Sequence, residues 1–527
     1  MSRMSLLFDF FKKRPEAVFD LVKIKWYFEN NVSKQAYQVL SAQTCTDLDF
    51  DSFFIRVNGT SSCVGQQYLY DRLRRIPYES EMTGNEELIT YLKNNTKSAL
   101  RCRKWLSRLA HDDAYYICSL FHDTHPTPSP FMKHLLYLLQ YMPLLFTLIF
   151  IISPKGLWLF FISVFFFVNA ILHYHNKKIQ FVYLYSIPQL LKLVSIAKKL
   201  STEKPFNQTH SDIDNHLKSL APLVRRLARF KFDVKFESDL AAFVFLIKEL
   251  VSIFFLSEPN SLFRSFRLID ANRTGIEAVF AYVGHIDMVM SVALLQEIFP
   301  CYCKPEWTDD GLRMTDVYHP LIEQCIPNTL NTFGKSVLLT GSNMSGKTTF
   351  IRTVALNMLC AQTLDMCFAK NFSGQRMRIH SAINLSDNIL ESESFYMKEV
   401  RTVKEILEKS QEFEHNLFLL DEIFKGTNTP ERIAASKAVL SVLAGNGNLV
   451  FASTHDIELA DLLSGEYNLY HFCEQIKQNR LHFDYLLKQG TILTVSIKLC
   501  IYRMKRNILL KHLKENGCTL KFLILKP

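Results

Sequence analysis

Eight consecutive residues, Gly341-Ser342-Asn343-Met344-Ser345-Gly346-Lys347-Thr348, carry the plainest chemistry in this 527-residue chain. Two glycines separated by four residues, then a lysine and a hydroxyl, fit a P-loop that cradles phosphate. Gly341 and Gly346 allow a tight turn in which successive backbone N–H groups face one anion. Lys347 adds a point charge for the β and γ phosphates, and the Thr348 hydroxyl suits Mg²⁺. Further along, the apolar run Leu417-Phe418-Leu419-Leu420 ends in Asp421-Glu422. Asp421 is placed to hold Mg²⁺ through water, and Glu422 to polarise an attacking water. A third apolar run, Leu449-Val450-Phe451-Ala452, leads into Ser453-Thr454-His455-Asp456. His455 there suits a γ-phosphate contact or the orientation of the water. Each part has a plainer reading: a chance glycine turn, or polar residues closing a structural strand. Their order favours ATP binding and hydrolysis.

The elements that must position these residues are readable nearby. Ser336–Thr340 is predicted to be a short buried strand. Thr349 to Gln362 is predicted to be a helix with Ile351, Val354, Ala355, Met358 and Leu359 on one face. A strand, a glycine turn and a helix start put the anion at the positive end of the helix dipole, with Thr349 also in reach. From 301 to 490 short apolar strands alternate with helices, the pattern of an α/β domain. Residues 179–300 read as helical. Ile213, Leu217, Leu220, Val224 and Leu227 form a seam that Pro222 is expected to kink. Ile276 to Ile298 is a further apolar helix. Arg225, Arg226, Arg229 and Lys231 suit nucleic acid or lipid headgroups, with a solvated helix face as the alternative. Residues 1–130 read as mainly helical, and 491–527 as a basic tail without an assigned chemical role.

The segment 131–178 differs in kind. Leu135 to Ile152 is eighteen residues without a charge, Ser153-Pro154-Lys155-Gly156 is a turn, and Leu157 to Leu172 is sixteen more apolar or neutral residues. A bilayer-crossing helix needs about 20 residues, with ~17 the usual lower bound. Lys133 precedes the pair and Lys177-Lys178 follow it, whereas only Lys155 lies in the turn. The positive-inside rule then puts both arms in the cytoplasm, with residues 135–172 anchoring the chain in the cytoplasmic membrane. The competing reading is a helical hairpin buried in a soluble domain.

The formal charge of +10 is compatible with nucleic acid or an anionic lipid surface. Twelve scattered cysteines form no CxxC pair, which argues against a zinc site and for reduced cytosolic thiols. At the N-terminus, Asp9 interrupts the apolar run and Lys12-Lys13-Arg14 follow it, the wrong order for a secretory signal.

Together these parts resemble the ATPase domain of the MutS family, the DNA mismatch repair clamp proteins. Thr340 to Thr349 is similar to that family's Thr-Gly-Pro-Asn-Met-x-Gly-Lys-Ser-Thr loop, and Asn343-Met344 separates it from other phosphate loops. Asp421-Glu422-Ile423-Phe424-Lys425-Gly426-Thr427-Asn428-Thr429, Ser453-Thr454-His455 and Ser394-Phe395-Tyr396-Met397-Lys398-Glu399 resemble its other signatures. Tyr318-His319-Pro320 and Pro327-Asn328 look like the segment that enters the domain. Ser373-Gly374-Gln375-Arg376 superficially resembles a transport-ATPase signature but lacks a glycine and lies far upstream of Asp421.

The resemblance implies an ABC-type P-loop ATPase domain that follows a mainly helical, MutS-core-like region, here interrupted by the transmembrane hairpin. It implies ATP and Mg²⁺ as cofactors, with Glu422 and His455 catalytic. It also implies a homodimer in which Ser394 reaches, in trans, the nucleotide held by the other subunit, although a helix cap is the plainer role for that serine. DNA, mismatched or branched, is the implied ligand. The resemblance is sharp over roughly 315–490 and faint before it. The family's Phe-x-Glu wedge has no counterpart near the N-terminus; Phe472-Cys473-Glu474 is the only such triplet. Where the family often sets an aromatic against adenine, Cys325-Ile326 stand. The competing functional class is a membrane-anchored ATP-driven scaffold or remodelling protein without mismatch recognition. A transporter is disfavoured, because the two spans hold no charged substrate-site residues.

Overall fold

All five residues of Ser336–Thr340 are buried, as expected for a strand covered on both faces of a parallel sheet. In the computed structural model this strand lies inside a six-stranded sheet. The strand order is Lys488–Gln489, Tyr467–His471, Ser336–Thr340, Leu449–Thr454, Asn416–Asp421 and Arg378–Ala382. The last five are mutually parallel, and Lys488–Gln489 is antiparallel at one edge. The structure describes residues 19–31, 34–78, 85–125, 129–209, 212–228, 243, 247, 250–256, 265–299, 301–342, 345–383, 395–445, 447–477 and 480–490. The chain divides into two compact units. One comprises 1–35, 57–74 and 79–298; the other comprises 36–56, 75–78 and 299–527.

In the second unit, Leu338, Phe418, Leu420 and Val450 of the sheet share one core with Val403 and Ile406 of the helix Phe395–Glu412. Leu440 and Leu443 of the helix Thr429–Gly445 join them. The expected helix after the glycine loop forms over Lys347–Leu364, and the five residues predicted for its apolar face are buried. Its burial is not one-sided, however: Thr353, Asn357, Gln362 and Thr363 are buried too. The helix touches both the main sheet and a four-stranded sheet made by Pro305–Trp307, Asn371–Gly374, Arg313–Val317 and Asn328–Asn331. Two of its buried amide oxygens accept from backbone on that side. Asn357 Oδ1 accepts from Phe368 N at 2.7 Å, and Gln362 Oε1 from Met377 N at 3.0 Å.

Segments 36–56 and 75–78, which composition places with the N-terminal helices, belong to this second unit. The reason is an open sheet edge. Arg378–Ala382 ends the main sheet and would leave backbone groups unpaired. Gln38 donates from Nε2 to Ile379 O and accepts from Ile379 N, each at 2.7 Å. Asp47 Oδ2 accepts from Ser381 Oγ at 2.7 Å and from Ile383 N at 3.0 Å. Two side chains thus complete the hydrogen bonding that a further strand would have supplied.

In the first unit, the helix Arg273–Ile298 packs against Cys63–Arg74, Ile213–Leu227, Ser186–Leu200 and Asn85–Asn94. It is long and apolar enough to cross a membrane, but 78% of its most apolar window is buried inside the protein. Its Asp287 is wholly buried and accepts from Ser61 N and Ser62 N, each at 2.8 Å, next to the start of Cys63–Arg74. Burial pushes that carboxyl up to about 6. Such a helix is a protein core, not a lipid-facing span. The seam of Ile213–Leu227 is as expected except that Leu223 is buried where Val224 was predicted, and the helix runs through Pro222. Of the basic cluster, Arg229 and Lys231 lie outside the described residues.

The apolar hairpin forms two helices, Pro130–Ile152 and Gly156–Leu184, longer than the uncharged stretches. Phe146 stacks on Phe161 and Phe165 between them, at centroid distances of 5.1 and 5.4 Å. Asn169 Nδ2 donates to Leu139 O at 3.2 Å across the pair. Only 17% and 11% of their most apolar windows are buried, and Ile152 and Ile171 are 84% and 71% exposed. The hairpin therefore presents its apolar surface outward, unlike a hairpin buried in a soluble core.

Candidate active site

The register of the parallel strands brings the chemistry together. Thr454 pairs with Thr340, and Ser453 with both Leu339 and Asp421, so three strands end at one level. In open parallel sheets the crevice beyond the carboxyl ends of the strands is where ligands bind. Here Gly341, Glu422 and His455 are the first residues past those ends.

Gly341 has φ +151° and Gly346 φ +107°. A Cβ on Gly341 would lie 2.8 Å from Phe472 O and 2.9 Å from Ser345 Oγ, so no side chain fits without displacing backbone. Gly346 caps the helix that begins at Lys347. Lys347 is buried, and its Nζ donates to Gly341 O at 2.7 Å and Ser342 O at 3.0 Å, which curls the ammonium back over the loop. Thr348 Oγ1 donates to Asp421 Oδ2 at 2.8 Å. Ser453 Oγ donates to Asp421 Oδ1, so the carboxylate is held from the helix after the loop and from the neighbouring strand. Thr349 lines the same cavity, whereas Asn343 and Met344 lie outside the described residues, as does Ser394.

Glu422 sits at φ +51°, a left-handed conformation that costs a non-glycine residue roughly 1–3 kcal/mol. Its N–H donates to Ser453 O at 3.0 Å. One carboxylate oxygen pairs with His455 Nε2, and the other lies 3.4 Å from Lys425 Nζ. The His455 hydrogen bond, aided by Lys425, holds the Glu422 carboxyl down at about 2 against the desolvation that opposes it. The sequence anticipated His455 against a phosphate or a water; its contact in the structure is Glu422.

A cavity of about 710 Å³ joins these groups, lined by Ser342, Ser345, Lys347, Thr348, Asp421 and Glu422 on one side. Cys325, Ile326, Asn328, Phe472 and Tyr485 line the other. Ser345 Oγ is buried beside it with no hydrogen-bond partner among the described residues. That orphaned hydroxyl, the glycine cradle and the Thr348–Asp421 oxygen pair suit a phosphate and a hard cation such as Mg²⁺.

Residues to which the sequence assigned no role complete the site. Glu399 of the Phe395–Glu412 helix is buried and accepts from Lys425 N at 2.9 Å and Gly426 N at 3.1 Å. It was legible only as the last residue of the Ser394–Glu399 signature. Tyr485 had no sequence signal. Asn328 donates to Tyr485 O at 3.0 Å and accepts from Leu487 N at 2.7 Å, clasping the aromatic residue's segment to the cavity rim. Tyr485 and Phe472 are thus the aromatic residues of the cavity lining besides Phe350, and both come from far along the chain from 325–326.

Residues 337–500 match MutS domain V. The mouse MutS protein homolog 4 is 34% identical over 188 residues, 34% of this chain and 19% of that protein. A DNA mismatch repair protein MutS of Haloquadratum walsbyi is 32% identical over 199 residues, 36% of this chain and 21% of its own length. A DNA mismatch repair protein MutS 2 of Halobacterium salinarum is 30% identical over 229 residues, 41% of this chain and 26% of its own. The chain thus matches about a fifth to a quarter of these MutS relatives' lengths. The MutS domain V match covers the phosphate loop from Gly341, Asp421-Glu422, His455 and Tyr485, and leaves the hairpin outside it.

Proposed function

We propose that this protein is a MutS-like ATPase whose cycle is coupled to DNA binding, anchored in a membrane by residues 135–172. The observation that carries the ATPase reading is the Thr348–Asp421 hydrogen bond at 2.8 Å, beside Lys347 and the Glu422–His455 pair on one crevice. Lys347 exchanges its loop carbonyls for phosphate oxygens, and Ser345 Oγ and the loop N–H groups bind the same anion. Thr348 and Asp421 would hold Mg²⁺, which when bound neutralises phosphate charge. Glu422 accepts a hydrogen bond from the attacking water, and His455 keeps that carboxylate aimed. The pairing with His455 and Lys425 keeps the Glu422 carboxyl ionised, as an acceptor for the water must be. Tyr485 offers its ring to the base across from Ile326. The dimer is proposed from the relatives' family alone, with Ser394 acting across it.

DNA as ligand is supported by the relatives that are DNA mismatch repair proteins and by the basic charge of +10. The test is binding of the detergent-solubilised protein to duplex and branched DNA, with and without ATP, across a salt series. Affinity should fall linearly in log–log form with salt, as phosphate contacts release counterions. ATPase activity without measurable DNA affinity at ~50 mM salt would leave the scaffold or remodelling reading in its place.

Membrane anchoring is supported by the outward apolar face of Pro130–Ile152 and Gly156–Leu184. At ~1.5 Å per residue, 23 residues reach roughly 34 Å, enough for a hydrocarbon core of about 30 Å. Lys133 and Lys177-Lys178 favour the cytoplasmic side for both arms of the chain. Deleting 134–173 should move the protein from the membrane fraction to the soluble fraction. Retention in carbonate-washed membranes after the deletion would contradict the anchor.

A further inference from the structure

We infer that Arg432 is a positioning residue, whose ion pair with Asp456 sets where His455 stands against Glu422. The inference rests on the ATPase reading of this site and adds to it a residue that none of the sequence motifs singles out.

The argument begins where the sheet stops. Strand pairing between Asn416–Asp421 and Leu449–Thr454 ends at Ser453 opposite Asp421, and one further backbone bond, Glu422 N to Ser453 O, follows. Beyond it the two chains diverge. One runs from Glu422 through a turn to the helix Thr429–Gly445; the other runs through His455 to the short helix Ile457–Leu463. The sheet does not hold the His455 ring. Arg432, in the first turn of Thr429–Gly445, reaches across. Its Nε donates to Asp456 Oδ2 at 2.8 Å and its Nη2 to Asp456 Oδ1 at 2.7 Å. Both side chains are largely sheltered, 25% and 14% exposed.

A fork-to-fork pair of this kind fixes orientation as well as distance, which single-contact surface pairs do not. Asp456 is the residue after His455, and Arg432 follows Glu422 on the same arm. The pair therefore closes a ring around the Glu422–His455 contact. Asp456 N also donates to Thr454 Oγ1 at 3.0 Å, so the backbone on both sides of His455 is tied. Meanwhile Glu422, Lys425, Arg432, His455 and Asp456 border a second cavity of about 240 Å³, room enough for an untethered imidazole to turn away.

Two measurements test this on the full-length, detergent-solubilised protein. In steady-state ATP hydrolysis, Arg432→Ala and Asp456→Asn should each lower kcat about 10- to 100-fold, as small misplacements at a reacting site do, with KM for ATP within about threefold. The double variant should be no worse than either single one, because both remove the same contact. Arg432→Lys, which keeps the charge but not the fork, should recover part of kcat. The second measurement is carbethoxylation of His455 by diethyl pyrocarbonate, followed by peptide mass. His455 should react at least about fivefold faster in Arg432→Ala than in the parent, because its Nε2 is freed from Glu422. Equal carbethoxylation rates, unchanged kcat, or single effects that multiply in the double variant would each overturn the inference. A parent without ATPase activity, but with the faster His455 reaction in Arg432→Ala, would overturn the ATPase reading and leave the positioning role standing.

Discussion

Lys347→Ala should bind ATP at least ~100-fold more weakly than the parent, since it removes a charge-assisted contact to the phosphates at the centre of the loop. The size of the effect follows from burial. Lys347 is 5% exposed and its ammonium donates to Gly341 O and Ser342 O, at the centre of the loop. Calorimetric titration with ATP and Mg²⁺ is the direct measurement. A second variant, Lys347→Met, keeps most of the aliphatic stem against Gly341 and separates lost charge from lost packing. The two variants should lose affinity alike. An affinity within threefold of the parent in both would show that the loop does not bind the phosphates through this lysine.

Glu422→Gln should bind ATP as the parent does but hydrolyse it at least ~100-fold more slowly. Gln is nearly isosteric and can still meet His455 and Lys425, so the strained backbone at φ +51° keeps its side-chain supports. What is lost is the anionic acceptor that aims the water. Single-turnover hydrolysis with radiolabelled ATP separates this step from product release. Turnover at the parent rate would assign the catalytic carboxylate elsewhere. Together the two expected results would divide the site, with Lys347 setting occupancy and Glu422 the chemical step.

The phosphate loop, the Asp421-Glu422 strand end and the His455 strand end were legible in the sequence because each is a local pattern. An apolar run, a glycine with a positive φ and a polar terminus are all set by neighbours along the chain. The apolar hairpin was legible for the same reason, as an uncharged length. What the sequence could not show is which separate segments meet. Ser453 holds Asp421 because parallel register sets them opposite one another, and register is a property of the assembled sheet. Gln38 and Asp47 complete an edge strand more than three hundred residues away, a need that exists only once Arg378–Ala382 is outermost. Arg273–Ile298 has the composition of a membrane helix, yet burial inside the first unit separates it from the hairpin helices of similar hydropathy. Tyr485 and Arg432 carry no motif, and folding alone brings one to the cavity beside the glycine loop and the other to the residue after His455. Local chemistry was therefore written in the chain order. The supports that aim it depend on non-local packing, where hydrogen bonds and burial are decided by which surfaces remain to be covered.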